Sequence, residues 1–130
     1  MTSLDRQQAK DFADALYEAR RTRTPIDPLT EHMPDLGMED GYAVQQLLVE
    51  RLVADGEVIS GYKLGLTSVP MQRLLGVNQP DFSPVFASTV HEDGADIRVD
   101  AFIAPRVEAE IAVTLDADLS GPHCAAADVY

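Results

Sequence analysis

Cysteine and long apolar runs are both scarce in this sequence. A single cysteine, Cys124, excludes an internal disulfide framework and a cysteine-rich zinc site. The apolar runs extend over only a few residues, which is too short for a membrane-spanning helix. No charged segment followed by an apolar one lies near Met1, so no secretory signal is expected. These absences favour a cytoplasmic protein without membrane association.

Basic residues are also few. Ten lysines and arginines stand against 22 aspartates and glutamates, which gives a formal net charge of −12. This acidity disfavours nucleic acid and anionic membranes as partners, because both require a basic surface. Only two lysines occur, Lys10 and Lys63, so the position of each is informative. Hydrophobic residues make up 45% of the 130 residues, as expected for one folded domain.

Hydrophobic periodicity divides the chain into a helical first part, 1–56, and a mostly β second part, 57–130. The first part contains two amphipathic helices, over 4–20 and 38–55, joined by a proline-rich loop. For the second part the pattern predicts strands over 58–66, 85–90, 97–99 and 106–115, a helix over 69–75, a loop over 78–84, and a helix from 125. The predicted fold class is α+β.

Two glutamates lie on the most regular of these strands, 106–115, in which apolar and polar residues alternate. Residues i and i+2 share one face of a strand, so Glu108 and Glu110 could bind one hard divalent cation. Two ligands do not complete such a site. The same alternation is typical of the solvent-facing side of an amphipathic strand, and spacing alone leaves both interpretations open.

Lys63 and Asp81 form a second candidate pair. Lys63 lies between glycines in an apolar strand, where desolvation would lower its pKa and favour proton transfer or carboxylate binding. Asp81 lies in a loop that two prolines stiffen, which could hold its carboxylate rigidly. A lysine on an edge strand and an aspartate in a turn would give the same pattern.

The remaining candidates are weaker. The three histidines are scattered without helical ligand spacing, and Cys124 has no apparent partner base. A cluster of arginines lies at the end of the first helix and is compatible with an anion site or with a solvated helix end: Arg20, Arg21 and Arg23.

Three motifs in order carry a family resemblance. They read GYKLGLT at 61–67, QPDF at 79–82 and PRVEAEIA at 105–112. Together they resemble the 2-keto-4-pentenoate hydratases of the fumarylacetoacetate hydrolase superfamily. The resemblance implies an N-terminal helical region followed by the first part of a mixed β-roll. It also implies that Glu108 and Glu110 are ligands of Mg²⁺ or Mn²⁺.

The resemblance further implies that Lys63 and Asp81 are catalytic groups and that Thr67 and Phe82 contact the substrate. The implied reaction adds water to a 2-hydroxy-2,4-dienoate, after its ketonisation, and yields a 4-hydroxy-2-oxo acid. Such reactions follow meta-cleavage in aromatic-compound degradation. The implied assembly is a homo-oligomer. The chain resembles the N-terminal half of these enzymes, so a third metal ligand is expected beyond Tyr130 and the 130 residues alone are expected to be inactive.

Two other interpretations remain at this stage. The sister 4-oxalocrotonate decarboxylases, which act on 2-oxo-3-enedioates, resemble the sequence over the same glutamate motif, whereas QPDF at 79–82 favours a hydratase. A non-catalytic fragment or assembly partner would keep the first half of the fold without a complete metal site.

Overall fold

A computed structural model describes residues 4–129 of the chain. Three helices come first: α1 (Arg6–Thr22), α2 (Leu29–His32) and α3 (Met38–Ala54). They are followed by strand β1 (Ile59–Gly65), helix α4 (Val69–Leu75), strand β2 (Asp81–Phe86), 3₁₀ turns at Ala87–Thr89 and Val99–Ala101, and helix α5 (Ala126–Val129). The arrangement confirms the α+β class. Within 4–129, no helix is long and apolar enough to cross a membrane.

Helices α1 and α3 pack against each other through small side chains. Ala9, Ala13 and Val44 are at most 5% exposed and form the centre of this contact. The buried carboxylate of Asp40 joins the helix starts, because it accepts hydrogen bonds from the backbone N–H of Leu4 at 3.1 Å and of Gly37 at 2.9 Å. The helical pair therefore forms a rigid support for the residues on the outer side of α3.

Two of the arginines at the end of α1, Arg20 and Arg23, connect this helix to later parts of the chain. The guanidinium of Arg20 lies 5.3 Å from the ring centre of buried Phe86 and 3.2 Å from Glu57. Arg21 pairs with Glu18, and Arg23 donates a hydrogen bond to the backbone oxygen of Asp100. These partners favour a structural role for the cluster over an anion site.

The sheet is an antiparallel pair of strands in which Lys63 lies opposite Ser83 and Gly65 lies opposite Asp81. The predicted strand over 58–66 is confirmed. The predicted loop over 78–84 and strand over 85–90 are wrong, because β2 already begins at Asp81 and ends at Phe86. Pro84 is tolerated within it because β2 pairs on one side only, and the missing N–H costs no ladder bond on a free edge.

Two other predicted strands are also wrong. Residues 97–99 run into a 3₁₀ turn, and residues 106–115 form no strand in the described chain. A strand requires a neighbouring strand for its N–H and C=O groups, and no described segment pairs with 106–115. Its apolar residues are accordingly uncovered, with Val107 and Ile111 at 102% and 94% exposure.

Candidate functional site

A cavity of about 310 Å³ lies where helix α3 meets the two-stranded sheet. Its walls include Tyr42 and Gln45 from α3, Lys63 and Gly65 from β1, and Asp81 and Phe82 from β2. This volume is at the lower end of the range for small-molecule sites. Three of the residues that the sequence singled out, Lys63, Asp81 and Phe82, therefore line one cavity.

Lys63 connects this cavity to the two glutamates. Its ammonium donates hydrogen bonds to Glu108 Oε2 at 3.0 Å and to Glu110 Oε1 at 2.9 Å. These two bonds raise the pKa of Lys63 well above its ordinary value and outweigh the opposing effect of desolvation. The expected lowering of this pKa is wrong, because the side chain is 45% exposed and is paired with two carboxylates.

The glutamates direct their oxygens to a common point, since both contact the same lysine nitrogen. Carboxylate oxygens are the donors that Mg²⁺, Mn²⁺ and Ca²⁺ prefer, so Glu108 and Glu110 fit a hard divalent cation in chemical type. Among residues 4–129, no group of three His, Cys, Asp or Glu side chains is arranged to hold a metal ion. The described residues thus offer a pair of ligands and not a complete coordination set.

Asp81 occupies space that a side chain at position 65 would fill. A Cβ atom added to Gly65 would lie inside contact distance of Asp81 Oδ1, 3.1 Å from Cγ and 3.4 Å from Oδ2. The two residues face each other across the strand pair, so their substituents share one side of the sheet. The glycine therefore provides the room in which the Asp81 carboxylate lies.

Phe82 is held by two residues of α3 that the sequence did not indicate. Its N–H donates to Tyr42 Oη at 3.3 Å, and its carbonyl oxygen accepts from Gln45 Nε2 at 3.2 Å. The rings of Tyr42 and Phe82 stack with their centres 4.9 Å apart. Tyr42 and Gln45 are three positions apart and so share a helix face, but polar residues on such a face are common and give no specific signal.

Thr67, the other expected substrate contact, lies outside the cavity that Phe82 lines. It is exposed, follows the end of β1 by two residues, and is not among the residues that line the cavity. The preceding Leu66 has a φ of 53°, in the left-handed region, and its carbonyl oxygen accepts a hydrogen bond from Gln72 at 2.7 Å. The chain therefore turns away from the strand pair at this point, and the substrate contact of Thr67 stays a prediction.

No family model matches the sequence. Among curated proteins, the TodF product hydratase of Pseudomonas putida is 40% identical over 118 residues, which cover 91% of this chain and 44% of that protein. The 2-oxo-hept-4-ene-1,7-dioate hydratase of Escherichia coli is 38% identical over 119 residues, covering 92% of this chain and 45% of that protein. The 2-hydroxypent-2,4-dienoate hydratase of Pseudomonas putida is 38% identical over 127 residues, covering 97% and 57%.

Among solved structures, the chain is similar to 4-oxalocrotonate decarboxylase from Pseudomonas putida G7. The complex of that enzyme with magnesium and adipate gives a TM-score of 0.65 at 28% identity, over 68% of this chain and 34% of the other. Its complex with calcium and acetate gives a TM-score of 0.66 over the same shares. The neighbour therefore carries a divalent cation and a carboxylate ligand in these structures.

The helical pair, the strand pair and the cavity between them thus define a unit similar in structure to part of this decarboxylase. More particularly, the chain is similar over nearly its whole length to curated hydratases, several of them named 2-keto-4-pentenoate hydratase, which confirms the resemblance carried by the three motifs. The chain spans about half the length of the curated relatives that it matches.

Proposed function

We propose that the full protein is a divalent-metal-dependent hydratase. It adds water to a 2-hydroxy-2,4-dienoate, after conversion of the dienol to the 2-oxo form, and yields a 4-hydroxy-2-oxo acid. The observation that carries the proposal is that Asp81 and Lys63 line one cavity and that the Lys63 ammonium contacts both glutamates. The sequence similarity to named hydratases supports this reaction over others that the same cavity could serve.

Glu108 and Glu110 would hold the metal ion, Mg²⁺ or Mn²⁺. When bound, such an ion supplies Lewis-acid stabilisation of the negative charge that develops on the 2-oxygen of the substrate. The magnesium and calcium in the neighbouring decarboxylase support a divalent ion here. Two carboxylates leave most of the coordination of a hard cation open, and water, the substrate or further protein groups would supply the rest.

Lys63 and Asp81 would serve substrate binding and proton transfer. Ketonisation removes a proton from the 2-hydroxyl group and places one on C5, and hydration then adds water across C3 and C4. The raised pKa of Lys63 keeps it cationic at neutral pH and makes it a weak acid, which suits an ammonium that binds and orients the substrate carboxylate. Asp81 is the carboxylate in the same cavity that can accept a proton from the 2-hydroxyl or from water.

Phe82 would provide the apolar contact for the diene. Its ring lies against Tyr42 at the wall of the cavity and is 47% exposed, so part of the ring is available to a planar ligand.

For the fold, we propose that residues 1–56 form a helical region and that 57–130 form the first part of a mixed β-roll.

The test is an assay of the full protein with 2-hydroxypenta-2,4-dienoate and Mg²⁺, followed by the loss of dienoate absorbance. Water labelled with ¹⁸O should place the label on C4 of the product. Glu108→Gln should abolish metal-dependent turnover because the amide keeps the size of the side chain and loses its charge. Glu92→Gln, which changes an exposed glutamate outside the cavity, is the matched control. Full turnover by Glu108→Gln would refute the assigned metal site.

A decarboxylase is the second candidate, because the solved neighbour is 4-oxalocrotonate decarboxylase. Incubation with a 2-oxo-3-enedioate separates the two reactions, since a decarboxylase releases carbon dioxide and a hydratase adds oxygen without loss of carbon. Absence of both reactions, with metal present and the protein folded, would favour a non-catalytic assembly partner.

A further inference from the structure

Helix α3 covers the free edge of β2 at one residue, Phe82. A strand residue directs its N–H and C=O to the same side of the strand, and here both groups are bound by α3 and not by β1. Tyr42 accepts the hydrogen bond from the N–H, and Gln45 donates to the carbonyl oxygen. The helix thus replaces a third strand over the length of one residue, immediately after Asp81.

We propose that Tyr42 and Gln45 are positioning residues for Asp81. Both are half-buried on a helix that is anchored by the core contact of Val44 with α1, so their hydrogen-bonding groups are held by a rigid element. On its other side Asp81 meets Gly65, which leaves room for the carboxylate and supplies no bond to hold it. The direction of the carboxylate therefore depends on the backbone of residues 81–82, which α3 holds by two hydrogen bonds and a ring stack.

The function of Asp81 in this inference rests on the proposed hydratase reaction, whereas its position does not. A shift of about 1 Å in a reacting group can lower a rate by about 10²-fold, because the group leaves the geometry required for reaction. A residue that acts through the position of Asp81 should therefore change kcat more than KM. A residue that only stabilises the fold would lower the unfolding temperature and leave kcat of the folded enzyme unchanged.

The test uses two variants of the full protein. Tyr42→Phe removes only the acceptor oxygen and keeps the ring stack. Gln45→Met keeps the length of the side chain and removes the donor. Matched controls are Tyr17→Phe, whose hydroxyl bonds to Asp55 on the far side of the helical pair, and Gln46→Met, whose amide bonds to Glu50. Amide hydrogen exchange at Phe82 should become about threefold to tenfold faster in Tyr42→Phe. The amide signals of Asp81 and Gly65 should shift in both test variants and in neither control.

In the assay with dienoate and Mg²⁺, each test variant should lower kcat about tenfold with KM within threefold of wild type, and the controls should stay within twofold. Unchanged kcat in Tyr42→Phe and Gln45→Met, despite faster exchange at Phe82, would overturn the positioning role. If the wild-type protein itself does not turn over dienoate, the hydratase proposal fails. The positioning claim is then decided by exchange and by the Asp81 signal, and wild-type values in both test variants would overturn it.

Discussion

Replacement of Gly65 by alanine tests the placement of Asp81 directly. The new Cβ atom would enter the volume of the Asp81 carboxylate, inside contact distance of Oδ1 and 3.1 Å from Cγ. Gly65 lies at the end of β1 with an ordinary φ, so alanine is compatible with the backbone. The carboxylate, which is exposed and bound to no rigid neighbour at this point, is the group that must move.

The size of the effect follows from the displacement. Ordinary van der Waals contact would require Oδ1 to retreat by more than about 1 Å, and a misplacement of that size can reduce a rate by about 10²-fold. Folding should be little affected, because alanine in a strand is favoured over glycine by about 0.5–1 kcal/mol and this offsets the work of turning a surface side chain. We therefore expect kcat to fall about 10²-fold while the free energy of unfolding stays within about 1 kcal/mol of wild type.

Gly61→Ala is the matched control, because position 61 lies on the same strand and no atom lies within 4 Å of an added Cβ. It should keep kcat within about twofold, since a substitution that meets no neighbour leaves Asp81 in place. Both variants are assayed with dienoate and Mg²⁺ after urea unfolding has shown equal folding. Wild-type kcat in Gly65→Ala would refute the reasoning, because Asp81 would then be displaced without consequence or would never have faced Gly65.

Three further predictions concern the cation site, acid stability and the core. Lys63→Met should tighten Mn²⁺ binding several-fold in calorimetry, because the ion no longer competes with an ammonium for the glutamate pair, and should lower kcat by about 10²-fold or more. The pKa of Asp14 is lowered, and the largest cause is the hydrogen bond that its carboxylate accepts from Lys10. The ionised Asp14 carboxylate should therefore stabilise the fold above about pH 4, and this stabilisation should be lost as the pH falls through the lowered pKa of Asp14. Asp14→Asn should remove this pH dependence of the free energy of unfolding in urea titrations. Val44→Ala should lower the free energy of unfolding by about 2 kcal/mol and Val53→Ala, on the exposed side of the same helix, by less than about 0.5 kcal/mol.

The longer helices were predictable because their signals are local, whereas the four-residue α2 lies in a segment that was predicted as a proline-rich loop. The α1 and α3 patterns contain their own apolar faces, and α4 was bounded to the residue by Gly76, which ends it with a left-handed φ of 71°. The capping box between Asp5 and Gln8 that begins α1 is likewise contained in four consecutive residues. Such elements are largely specified before any tertiary contact forms.

The strands were predicted less well because a strand forms only where a second segment supplies hydrogen bonds to its backbone. Asp81 and the two prolines near it indicate a loop, yet pairing with β1 extends the strand through Pro84. The alternation in 106–115 indicates a face that can be buried, but this pattern contains no information on the partner that would bury it. Sequence signals thus placed one strand four residues too late and predicted another, 106–115, that the described chain does not form.

In the candidate site, too, the local features were predicted from the sequence and the long-range contacts were not. Residue type and motif indicated Lys63, Asp81 and the glutamates, but the pKa of Lys63 was predicted in the wrong direction because its partners lie 45 and 47 positions away. Local surroundings, glycine and apolar residues, suggested desolvation, whereas the structure brings two carboxylates to the ammonium. The charge state of a group depends on the nearest charges in space. For a strand residue such as Lys63, these charges belong to residues far away in the sequence, which local patterns do not identify. For this cavity the consequence is chemical: while both carboxylates contact the ammonium, Lys63 stays protonated at neutral pH and can bind a carboxylate as a cation, but it cannot act as a base.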